Sequence, residues 1–153
     1  MSEIKKPPFL ILILGMMAII ILAIIVLILH TSLYITTGWD FSTEYYALMN
    51  ILILVGIVIP VIGLTGNILG ILFNTKWKNE SIKLPFLIGT ISVVINAILI
   101  ISGLFFGVYT IIRGIPNTEE FGFFLTEAIL MFLAAGMAGF NIFSGIKLLK
   151  WKE

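Results

Sequence analysis

From Phe9 to Leu29 the chain runs for 21 residues without one polar side chain. At about 1.5 Å of rise per residue, a helix of that length crosses a hydrocarbon core of about 30 Å. A signal peptide would have a shorter apolar stretch followed by a small-residue cleavage site, whereas this run continues into His30-Thr31-Ser32-Leu33-Tyr34. The segment is therefore expected to be retained as a first membrane span. Three further apolar stretches, from about Ala47 to Phe73, Leu84 to Tyr109 and Thr126 to Leu149, complete a set of four.

The whole 153-residue chain is 60% hydrophobic and only 11% charged, against roughly 25% charged residues in a soluble domain. With so little charge to cover a water-facing surface, the expected fold is an all-α integral membrane protein forming one domain over residues 1–153. No basic stripe interleaved with aromatics lies outside the membrane flanks, which argues against a nucleic-acid partner. There are no cysteines, so disulfides, thiolate metal sites and dithiol chemistry are closed to the chain. That sets aside tetraspanins and claudins, which need loop cysteine pairs. Small multidrug transporters place a Glu in mid-membrane on their first helix, where this chain is apolar.

Orientation follows from the basic residues. Eight lysines, Lys5, Lys6, Lys76, Lys78, Lys83, Lys147, Lys150 and Lys152, fall at the N-terminus, the middle loop or the C-terminus. Only Arg113 falls in the other two loops, beside Asp40, Glu44, Glu119 and Glu120. The excess of lysine predicts that both termini and the middle loop are cytoplasmic, and the abundance of Ile alongside Lys and Asn points to an AT-rich genome and hence to a bacterial or archaeal cell membrane. Trp77 and Trp151 on that side, and Tyr34, Trp39, Tyr45, Tyr46 and Tyr109 on the other, form the aromatic belts expected at the two interfaces.

The chain also resembles itself. Lys6-Pro7-Pro8-Phe9-Leu10-Ile11 returns as Lys83-Leu84-Pro85-Phe86-Leu87-Ile88, and Ser42-Thr43-Glu44 is answered by Asn117-Thr118-Glu119. Gly63-x-x-Gly66-Asn67-Ile68 before Lys76-Trp77-Lys78 is answered by Gly136-x-x-Gly139-Phe140-Asn141-Ile142 before Lys150-Trp151-Lys152. Matching pieces in one order predict a tandem duplication, repeat 1 over residues 6–78 and repeat 2 over 83–152. Each repeat is a helical hairpin entering from the same side, so the two are parallel and relate by a pseudo-two-fold axis along the membrane normal.

Helices in lipid associate where small residues let backbones approach. Gly56, Gly63 and Gly70 recur at seven on the second span, with Gly66 beside them, and Gly89, Gly103 and Gly107 mark the third. Ala135 and Gly139 do the same on the fourth. These are the expected helix-packing residues, and the first span, almost all Ile and Leu, is expected to be the most lipid-exposed. Asn67, Asn96 and Asn141 are the polar residues deepest in the spans. A buried amide needs a partner, and Asn67 and Asn141, each ten residues before its Trp, are expected to bond across the pseudo-axis. Pro60 removes one helical hydrogen bond, frees the carbonyl of Gly56 and predicts a kink. His30 and Glu127, near the external ends of the first and fourth spans, are a possible titrating pair.

One His, no Cys and no acidic pair on one face leave no metal cluster, and no nucleophile has a base within reach. The expectation is a non-enzyme without cofactor or metal. Its partners would be the lipid bilayer and either itself or other membrane proteins, for which it would be an accessory or scaffold subunit. The alternative is a small channel or transporter with a polar site near the pseudo-axis.

Overall fold

The computed structural model describes residues 9–37, 43–74, 84–116 and 119–150. Apart from Tyr109, the aromatic belt, and most of the lysines that set the orientation, lie outside the described residues or on side chains that are not described. Helix α1 (Phe9–Thr37) is the first span. The second consists of α2 (Thr43–Ile53), one π-helical turn (Leu54–Val58) and α3 (Ile59–Asn74). Helix α4 (Leu84–Gly114) is the third and α5 (Phe121–Leu149) the fourth. Among the described residues there is no strand. All four spans are long and apolar enough to cross a membrane.

The helices overrun their apolar stretches at the far end, the end remote from Phe9 and Leu149. Helix α1 continues past Leu29 to Thr37, α4 past Tyr109 to Gly114, and α5 starts at Phe121 instead of Thr126. Polarity alone does not stop a helix; a breaker does, and none occurs before Gly38 in the first case or Gly114 in the second. Arg113 lies in the last turn of α4, where a cation suits the helix dipole. Its guanidinium stacks over Tyr109 at 5.8 Å from the ring centre and donates to the Tyr109 hydroxyl at 3.1 Å.

Each span packs against its sequence neighbours, and α1 also packs against α5, so the helices follow one another around a bundle. Glycines set the close approaches. A methyl at Gly103 would sit 3.0 Å from the Met131 carbonyl oxygen and 3.1 Å from the Ala135 Cβ. One at Gly89 would meet the Gly145 carbonyl at 3.0 Å, so α4 and α5 touch backbone to backbone at two levels. Gly56 faces Ala23, Gly63 faces Met16, Gly70 faces Phe9 and Ile88, and Gly107 is covered by the Phe132 ring.

The core is layered. Phe9, Leu12, Ile88 and Leu148 close the near end, and Met16, Ile19, Ile95, Leu99 and Ala138 fill the middle. Val26, Phe106 and Met131 form a third apolar layer towards the far end. Hydroxyls in the spans bond to their own backbone four residues back, as Thr65 does to Val61, Thr90 to Phe86 and Thr110 to Phe106, at 2.7–2.9 Å.

One expectation is corrected here. The second span is the least buried, with 22% of its most apolar window inside against 28% for the first, because it packs more sparsely on its two neighbours, above all on α4, than the other spans do on theirs. Just before Pro60 the backbone takes a wider turn, in which Ile59 donates to the Leu54 carbonyl five residues back; such a π turn is, like proline itself, a usual site of a helix kink.

Candidate functional site

Between the near-end and middle layers lies a level of polar residues contributed by three spans. Asn67 donates to the Gly63 carbonyl at 2.8 Å and, across to α4, to the Ser92 hydroxyl at 3.4 Å. Asn96 donates back to the Ser92 carbonyl at 2.7 Å. Asn141 projects from α5 into the notch left by the missing side chain of Gly15 on α1, so close that any Cβ there would overlap its amide. All three amides are fully buried. The oxygens of all three, and the nitrogen of Asn141, make no hydrogen bond to the protein.

The expected bond between Asn67 and Asn141 does not form. Each amide turns instead onto the span beside it, Asn67 onto α4 and Asn141 onto α1, where a small residue gives it room. Sequence reading missed Ser92 as the partner, because a hydroxyl on a membrane helix ordinarily bonds to its own backbone. Gly15 gave a signal in hindsight: it is the only glycine in the 21-residue run.

Towards the far end, His30 and Glu127 come together although 97 residues apart: Nδ1 and Oε2 are 3.4 Å apart. Both are buried, Glu127 to 1% exposure, and the Glu127 Oε1 makes no hydrogen bond to the protein. One helical turn inward from them, and from Thr110, lie Val26, Met131 and Phe106, which line the top of a cavity of about 60 Å³. All four spans line the cavity, which is partly open, and its wall is apolar apart from Ser102.

The packing glycines separate into two groups. Gly56, Gly63, Gly70, Gly89, Gly103 and Gly107 each have a neighbouring span against them, and buried Ala135 faces Gly103. Gly139 is nearly open, since a methyl there would have only the Ile100 Cδ1 beside it, at 3.9 Å, and a methyl at Gly66 or Gly136 would meet nothing within 4 Å. Gly66 therefore makes no close approach within this chain. Among the described residues no cluster of metal-ligating side chains occurs.

The fold and these sites define a class: a four-helix, all-α chain with the length and apolarity of a multi-pass membrane protein. No known protein family, characterised protein or solved structure matches it.

Proposed function

We propose that this chain is a non-enzymatic membrane subunit that works by packing, against copies of itself or against other membrane proteins. The observation that carries the reading is the pair of open glycines. Small residues are favoured in membrane helices where another helix approaches, and at Gly66 and Gly136 no described residue lies within 4 Å of where a Cβ would be. Around them the second and fourth spans present Ile62, Leu69, Leu133 and Phe140, all exposed. On this reading both termini face the cytoplasm, as the lysine distribution implies, and the host bilayer is the cell membrane.

The reading includes descent from a duplicated hairpin. Gly15 and Ser92, the positions that receive Asn141 and Asn67, are 77 residues apart, which is also the spacing of Lys6 from Lys83. The first span receives the amide of the fourth as the third receives the amide of the second, the exchange expected of a parallel repeat.

The polar layer supports the second reading, a small channel or transporter, since amides at membrane depth can take a solute. The apolar layers on either side of it favour the first. The test is mass and flux. In nanodiscs or mild detergent the purified chain should run above monomer mass or carry a second chain, and Gly66→Leu or Gly136→Leu should reduce that mass. A strictly monomeric protein with saturable solute flux, lost in Asn67→Leu and Asn141→Leu, would sink the packing reading and establish the transporter.

A further inference from the structure

We infer that the polar layer is a water-binding site, with buried water bridging the amides of Asn67, Asn96 and Asn141 inside a bundle that is otherwise dry. The inference does not depend on the packing role. Its basis is the balance of donors and acceptors. Asn67 has spent both amide hydrogens, on the Gly63 carbonyl and the Ser92 hydroxyl, and Asn96 has spent one on the Ser92 carbonyl. Left over are three amide oxygens that accept nothing, the second amide hydrogen of Asn96, and the Asn141 nitrogen that donates to nothing, all in fully buried side chains.

In hydrocarbon an unmet polar group is expensive, and no lipid headgroup or bulk water reaches this level. Water supplies what is lacking: two hydrogens for amide oxygens and an acceptor for the Asn141 N–H. A metal cation would satisfy the oxygens alone. It would face the Asn141 N–H with its own positive charge, and the layer offers no carboxylate to offset the loss of its hydration.

The same reasoning leaves the apolar cavity empty. The cavity of about 60 Å³ near the far end offers one hydroxyl, that of Ser102, and a water needs two or more partners. Water is thus placed by unmet hydrogen bonds, and the open volume stays dry.

Methionines report the difference. Met16 is fully buried, follows Gly15, and packs on Gly63, whose carbonyl holds Asn67. Met131 is also buried but lines the apolar cavity, and Met17 is 46% exposed on the outer face of α1. A short X-ray pulse on the full chain in nanodiscs generates hydroxyl radicals from water where it is bound, and thioethers beside it become sulfoxides. Oxidation of Met16 should exceed that of both Met131 and Met17 several-fold, the reverse of the exposure order. In Asn141→Leu and Asn67→Leu it should fall to the Met131 level. Met16 labelled no more than Met131 in the unmodified protein overturns the inference without recourse to any variant. So does labelling that persists in both variants, and so does labelling that sodium suppresses relative to choline, which would assign the layer to a cation.

Discussion

Replacing Gly103 by Ala adds one methyl at a point where α5 backbone lies against α4. That methyl would lie 3.0 Å from the Met131 carbonyl oxygen and 3.1 Å from the Ala135 Cβ, and the first of these is backbone, which cannot rotate aside. Overpacking of this kind costs about 1–3 kcal/mol. Against it stands the gain in helix propensity from Gly to Ala, about 0.5–1 kcal/mol. Gly66→Ala isolates the gain, because a methyl there meets nothing within 4 Å. Gly66→Ala should therefore be neutral or stabilising by up to about 1 kcal/mol, and Gly103→Ala should lie about 1–3 kcal/mol below it. Reversible unfolding in mixed micelles, followed by helical circular dichroism against the mole fraction of denaturing detergent, reads both values. Should Gly103→Ala prove as stable as Gly66→Ala, the backbone contact between α4 and α5 is not what holds the third and fourth spans together.

Breaking the far-end pair by His30→Ala strands the Glu127 carboxyl in the interior and should cost about 3 kcal/mol in the same unfolding assay, whereas replacing both by Leu should recover most of the loss. Neither change should alter the mass of the assembled species measured by light scattering. The cysteine-free chain permits a topology test with single cysteines at Ser42, Asn79 and Asn117: an impermeant thiol reagent applied to intact cells should label positions 42 and 117 and spare 79. Gly15→Leu should be more damaging than Gly136→Leu to the monomer fold, since the first collides with Asn141 and the second meets open space; proteolytic resistance in detergent distinguishes them.

The four spans were legible in the sequence because the cost of exposing backbone and charge to lipid leaves few alternatives to a long apolar helix. Their far ends were not, since the residues from His30 to Thr37 are polar enough to leave the hydrocarbon yet contain nothing that ends a helix. The chemistry of the sites was legible and their adjacency was not. His30, Glu127, Asn67, Asn96 and Asn141 each announce themselves as polar residues on apolar helices. That His30 meets Glu127, or that Asn141 fits against Gly15 in place of meeting Asn67, depends on how the spans are rotated about their own axes. Shallow hydrophobic asymmetry, in helices that are apolar on every side, leaves that rotation to the glycine notches. Pro60 flagged a discontinuity, but one proline is compatible with either a bend or a widened turn.

The widened turn bears on how the two halves came to differ in length. On the proposed duplication Glu44 corresponds to Glu119 and Gly63 to Gly136, yet Gly63 lies 19 residues after Glu44 and Gly136 lies 17 after Glu119, an excess of two residues of which one π turn takes up one. Residues Leu54–Val58 lie in the longer interval. A turn with five-residue hydrogen bonding takes up a supernumerary residue locally, so that Gly63, Asn67 and Gly70 keep their bearings on Met16, Ser92 and Ile88 while the chain upstream is displaced. Inheritance of an insertion without loss of register is what such a turn offers a membrane helix, where a looped-out residue would strand its amide in lipid. Deleting Ile57 should then convert the segment to regular α-helix and swing α2 by about 100° around the bundle, leaving α3 where it is.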